Sequence, residues 1–146
     1  MSGAKVVDAA RGWIGTPYVH QASAKGAGCD CLGLLRGIWR ELIGPEPEIT
    51  PAYSQDWSEA QRDERLWRAA ARSLAEKDCQ RLNLGDVILF RMRSNSVAKH
   101  LGIVGSVGPA PSFIHSYSGH GVFESPLSDP WRRKIVAAFE FPARSY

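Results

Sequence analysis

The sequence predicts an α+β fold with its helices first and its strands grouped after them. Up to about residue 77 the apolar side chains recur at helical spacing, whereas from Leu84 onward they alternate in short runs between Gly, Pro and polar turns. Helices and strands do not interleave, so the expected sheet is antiparallel and packed on a helix. At 146 residues the chain is long enough for one domain with a real core and short for two.

Lys5 to Ile14 reads as the first helix, with Val6, Ala9, Ala10 and Trp13 on one face. Gly15 ends it, and Thr16-Pro17 forces an extended exit into Tyr18. A loop of small and polar residues, His20 to Gly28, leads to a second helix that starts at Cys31. Its apolar residues Leu34, Leu35, Ile38 and Leu42 mark one buried face, Asp30 stands at the N-cap, and Gly44-Pro45 is the stop. Trp39 on this helix reads as core.

Pro45-Glu46-Pro47-Glu48-Ile49-Thr50-Pro51 is too proline-rich for regular structure. Roughly Gln55 to Lys77 reads as an amphipathic helix. Trp57, Ala60, Trp67, Ala70, Ala71 and Leu74 lie to one side, and Arg62, Arg65, Arg68 and Arg72 lie elsewhere. Those arginines form either a solvated face or a docking surface. Strands are expected over 87–91, 100–107, 112–117, 122–124 and 134–141.

The net charge of +3 comes without a Lys/Arg block, so nucleic acid is not an expected partner. No apolar run approaches a bilayer's thickness, so no membrane insertion is expected. The first residues lack an apolar secretory core, which predicts synthesis in the cytoplasm without a signal peptide. Three cysteines are an odd count, leaving at least one free thiol.

A lone cysteine is usually a small buried hydrophobe. Cys31 differs because it opens a helix, where the dipole favours the thiolate, and because histidines follow it in the chain. Strand alternation puts His100 with Gly102 and Val104, and His115 with Phe113 and Tyr117. Both imidazoles are expected to project toward the Cys31 helix, with Gly102 and Gly105 leaving room beside His100. If the three converge, Cys31 is the nucleophile, His100 takes and returns the proton, and His115 orients His100. The Cys31 N–H and the Tyr18 hydroxyl would stabilise the oxyanion. The reaction class is amide hydrolysis.

Gly15-Thr16-Pro17-Tyr18, Asp30-Cys31-Leu32-Gly33-Leu34, Leu84-Gly85-Asp86-Val87, His100-Leu101-Gly102-Ile103 and Phe113-Ile114-His115 together resemble the NlpC-type cell-wall cysteine peptidases. The resemblance spans nearly the whole chain as a single domain, with about 45–78 as an insertion. It implies a papain-like α+β fold and cleavage of peptidoglycan stem peptides without a cofactor. It puts the nucleophile on Cys31, the base on His100 and the third polar residue on His115. It also implies that Tyr18 and Asp30 bind substrate, Asp30 by gripping a free amine.

The Gly28-to-Gly33 stretch most resembles the branch found in phage tails and gene-transfer agents. That implies tail-tip hub or fibre proteins as partners and action on the periplasmic wall. Most members carry serine after the nucleophile, where this chain has Leu32.

Other readings stay open. One is an amidase or acyltransferase of the same fold; another is a tail docking protein with residual or no catalysis. A zinc site of Cys29, Cys31, His100 and His115 is disfavoured because a C-x-C pair chelates one ion less readily than C-x₂-C. Cys29 and Cys79 read as packing, His20 and His120 as loop surface, and Asp86 and Glu124 as ordinary strand-end carboxylates.

Overall fold

The computed structural model describes residues 2–47 and 64–142. Helix α1 spans Gly3–Arg11, capped by the Ser2 hydroxyl, which accepts from the Lys5 N–H at 3.4 Å. It stops three residues before the expected Ile14. Residues 12–15 form a turn instead, in which Gly15 takes φ 95° and donates its N–H to the Val122 carbonyl at 3.0 Å. The turn carries Trp13 into the core, where it is 1% exposed. The loop after Tyr18 holds a small hairpin that sequence reading left irregular, β1 (Ser23–Ala24) with β2 (Gly28–Cys29).

Helix α2, Cys31–Leu42, begins and ends where its signals stand. Asp30 is the N-cap, its Oδ1 accepting from the Gly33 N–H at 2.7 Å. Leu34 and Ile38 are fully buried and Leu35 nearly so, each worth about 1.5–3 kcal/mol of burial. Gly37 lets α1 approach: a Cβ there would lie 2.0 Å from the Trp13 ring.

The helix expected over 55–77 is corrected at its C-terminal end, and 55–63 lies outside the described residues. Helix α3 covers Arg65–Ser73; Leu74 is already extended, and Ala75–Lys77 form strand β3. Backbone pairing with β8 (Ile135–Glu140), Glu76 opposite Phe139, overrides the helical pattern.

Four further strands, β4 (Val87–Phe90), β5 (His100–Ser106), β6 (Ser112–Tyr117) and β7 (Gly121–Pro126), complete an antiparallel sheet in the order β3-β8-β4-β5-β6-β7. A short helix, α4 (Asp129–Arg132), joins β7 to β8.

The sheet is buried on both faces. Val87, Leu89, Leu101, Ile103, Ile114 and Phe139 pack with α1, α2 and α3. Ile88, Phe90, Val104, Phe113 and Ala138 form a second cluster on the opposite face, under Leu127 and the half-buried Trp131. That two-sided burial explains why β4 reads as Val-Ile-Leu-Phe with no polar alternation.

Candidate active site

Cys31 is the first residue of α2 and is half-buried. Its thiol reaches the first residues of β5, with Sγ 3.5 Å from the Lys99 carbonyl oxygen. The backbone N–H groups of Leu101 and Leu32 also act on it. The thiol therefore meets the strand on either side of His100. Tyr18 is held nearby by a parallel bridge to Cys29, the Cys29 N–H donating to the Pro17 carbonyl at 3.0 Å.

His100 opens β5, and His115 lies in β6. The register, Ile103 opposite Ile114, brings His100 Nε2 within 2.8 Å of His115 Nδ1. Gly102 permits this approach, because a Cβ there would stand 2.9 Å from the Phe113 ring and 3.2 Å from the His115 Cβ. Gly105 does not contribute room here: a Cβ on it would meet Glu124 Oε2 and Ser112 Oγ. The orientation expected for the imidazoles is also corrected. They do not lie under the helices; alternation along β5 and β6 assigns them to the face of the second cluster. The His100 ring centroid is 5.7 Å from Phe90 and 5.8 Å from Trp131. The thiol's own contacts are with the backbone of Lys99 and Leu101, the residues that flank His100.

Sequence reading missed two neighbours of the pair. Ser125 on β7 hydrogen-bonds His115, Oγ to Nε2 at 2.9 Å. A single serine in a half-buried strand carries no signal of its own. Trp131 packs its ring 5.3 Å from that of His115; Ser128-Asp129-Pro130 was the available sign of a helix start ahead of it. His120 is exposed, as expected, while its ring stacks on Tyr117 at 5.7 Å and acts electrostatically on His115.

Asp30 is 3% exposed and engaged by the backbone through both oxygens, Oδ1 by Gly33 and Oδ2 by the Gln21 N–H at 2.8 Å. Gln21 takes φ 66°, uncommon for a residue with a side chain, so the carboxylate also fixes a strained turn beside the thiol. His20 Nδ1 lies 3.9 Å from Asp30 Oδ2. The cap thus serves the helix, the loop and the position of Cys31 together.

Burial governs the charges. It pushes the Cys31 thiol up to about 12, with the Asp30 carboxylate adding to the rise. The thiolate expected from the helix dipole is therefore not the resting form. Burial pulls His100 down to about 3, helped by His115, and His115 down to about 4, helped by His120. Tyr18 is raised to about 12 by burial and by Cys31 and Asp30, so its hydroxyl stays protonated as a donor. Burial thus disfavours both the charged thiolate and the charged imidazolium.

Cys29, Cys31 and Cys79 are all free thiols. Among the described residues no group of three or more His, Cys, Asp or Glu is arranged to hold a metal ion. No described helix is long and apolar enough to cross a membrane.

No protein-family model matches the chain. The Gamma-DL-glutamyl hydrolase of Bacillus subtilis is 28% identical over 137 residues, 93% of this chain and 29% of that protein. The chain therefore spans less than a third of the curated relative's length. Among solved structures, the NlpC/p60 domain of the peptidoglycan hydrolase SagA superposes with a TM-score of 0.66 at 20% identity, covering 97% of this chain and all of that one. An NlpC/P60 family protein from Bacillus cereus gives 0.65 at 19% identity, covering 97% of this chain and 40% of its own. A lipoprotein-like NLP/P60 family protein from Staphylococcus aureus gives 0.61 at 19%, covering 97% and 42%. The α+β fold is thus the papain-like fold of NlpC/p60 domains.

Proposed function

We propose that this chain is a cysteine peptidase that hydrolyses amide bonds in peptidoglycan stem peptides. The observation that carries the reading is the hydrogen-bonded His100–His115 pair, with the Cys31 thiol held against the residues that flank His100. In the proposed step His100 takes the thiol proton as Sγ attacks the amide carbonyl. The Cys31 N–H at the head of α2 and the Tyr18 hydroxyl receive the oxyanion. Collapse breaks the C–N bond, His100 gives its proton to the departing amine, and water then cleaves the thioester to release the acid and restore the thiol.

The solved neighbour named as a peptidoglycan hydrolase supports a wall-polymer substrate. The B. subtilis relative's name specifies a γ-glutamyl amide, the linkage between D-glutamate and diaminopimelate in stem peptides, and we assign that bond class to this site. Tyr18 and Asp30 are assigned to substrate binding. The Asp30 carboxylate already accepts from two backbone N–H groups, so a substrate amine would join contacts that are made without it. The Gly28-to-Gly33 resemblance supports a place in a phage or gene-transfer-agent tail, where tail-tip proteins would be partners and the periplasmic wall the target.

The test is digestion of purified Gram-negative peptidoglycan and of poly-γ-glutamate with wild type and Cys31→Ala, with fragments identified by mass spectrometry. New peptide termini from peptidoglycan with wild type alone are expected. Cleavage of poly-γ-glutamate alone would move the substrate to that polymer, and cleavage of neither would overturn the enzyme in favour of a docking protein. Particles carrying Cys31→Ala that assemble but do not penetrate cells are the expected result for the tail assignment.

A further inference from the structure

Ser125 is not among the residues assigned to the reaction, yet it is the group on which the histidine pair ends. In the β6–β7 register His115 faces Phe123, so Ser125, two residues on, shares its side of the sheet and reaches Nε2 diagonally. His115 is fully buried and Ser125 is 8% exposed. On its other side Ser125 borders an open groove of about 640 Å³ that Ser128, Asp129 and Arg132 also line.

The use of the four ring nitrogens follows from these contacts. His100 Nε2 and His115 Nδ1 engage each other, and His115 Nε2 engages Ser125, so the base proposed at His100 must act through its Nδ1. A neutral imidazole carries one N–H. For Nδ1 of His100 to be basic, its hydrogen must sit on Nε2 and be donated to His115 Nδ1. His115 must then carry its own hydrogen on Nε2, and that N–H needs an acceptor in a dry site.

We infer that Ser125 is a positioning residue whose hydroxyl accepts from His115 Nε2–H and thereby sets the tautomers of both histidines. The Ser125 O–H is then left to turn toward the groove that Ser125 borders. With the hydroxyl turned the other way, both rings would carry hydrogen on Nδ1, and His100 could not receive the thiol proton. The inference rests on the proposed role of His100 as base.

The test is long-range ¹H–¹⁵N spectroscopy of the ¹⁵N-histidine protein, together with the alkylation rate of Cys31 by iodoacetamide, located by peptide mass. Wild type is expected to show the Nε2–H form at both His100 and His115. Ser125→Ala should shift both toward Nδ1–H and slow Cys31 alkylation by roughly tenfold or more. Ser125→Thr, which keeps the hydroxyl on a strand, should restore both readouts. An Nδ1–H wild type, or an alanine variant with wild-type tautomers and rate, overturns the inference. Should the alanine variant fail to fold, the wild-type tautomers decide it. Neither readout needs a substrate, so a wild type that leaves peptidoglycan intact sinks the substrate assignment alone, and unchanged tautomers in an active enzyme sink this one alone.

Discussion

The thiol side of the site is built from neighbours in sequence, whereas the histidine side is built from strands that only the sheet brings together. Asp30, Cys31 and Gly33 are consecutive or nearly so, and one carboxylate fixes the helix start and the Gln21 turn through backbone contacts. His100, His115 and Ser125 come from β5, β6 and β7, and their contacts exist only at one register. A local motif of capping groups tolerates errors elsewhere in the fold. A cross-strand relay does not, since a one-residue slip turns every side chain to the other face.

Two glycines break that comparison most directly. Gly37 stands where α2 meets Trp13, and an added Cβ would overlap the ring at 2.0 Å. Trp13 is buried and donates from Nε1 to Glu41 at 2.9 Å, so it has little room to move. Overpacking of this kind costs about 1–3 kcal/mol, only partly offset by alanine's better helix propensity. Gly37→Ala is expected to lower the urea midpoint by a corresponding amount while the folded fraction keeps its activity. Gly102→Ala meets Phe113 at 2.9 Å and the His115 Cβ at 3.2 Å. It should cost less stability but displace His115, reducing kcat/KM by roughly tenfold or more. Equal effects of the two on activity would mean that the histidine side is no more register-sensitive than the thiol side.

The same contrast explains what was legible in the sequence. Helix α2 could be read to the residue at its start, because Asp30, the apolar spacing and Gly44 are local signals. The strands carrying His100 and His115 were also legible, and so was their place as neighbours. The direction of the rings was not, because alternation names a shared face without saying which face meets the helices, and here both faces are buried. Strand β3 was hidden because the apolar side chains at helical spacing run on to Leu74, and only pairing with β8 makes Ala75–Lys77 extended. Ser125 was hidden for a plainer reason: its contact lies ten residues along the chain across a hairpin, and no spacing rule reaches it.

Acid should act on the histidine side first. Both imidazoles are held below the ordinary value of 6.5, His115 at about 4 and His100 at about 3. The unfolded chain therefore binds protons that the folded protein refuses. Their stabilising contribution is fully present above about pH 6.5 and is lost as pH falls through about 4 toward 3. Glu46 and Glu124, held below the usual carboxylate value by their arginines, add to the loss only below about 4.5. Between pH 6.5 and 4.5 the decline in urea midpoint should thus belong mainly to the histidine pair, and His115→Gln should flatten it. On the thiol side the sign is opposite: Cys31, raised to about 12, adds stability that is lost only as pH climbs above the ordinary thiol value. An acid limb as steep in His115→Gln as in wild type would assign the loss to other groups.

The smallest expected effect comes from Leu32, where this chain departs from the serine usual in the family it resembles. Leu32 is half-buried and packs against the helix-side cluster, beside the thiol but outside the histidine relay. Leu32→Ser gives up part of that burial, about 1 kcal/mol, and leaves the relay contacts untouched. If the serine hydroxyl supplies a hydrogen bond to a stem peptide, the gain is that of one neutral bond, about 0.5–1.5 kcal/mol, or a few-fold in kcat/KM. The gain should appear on trimmed stem peptides with a free amine, where contacts at the head of α2 count most. It should be absent on intact sacculi. A rise on both substrates would place Leu32 against the reacting amide itself, and no change on either would mean that its side chain serves packing on the thiol side and nothing in recognition.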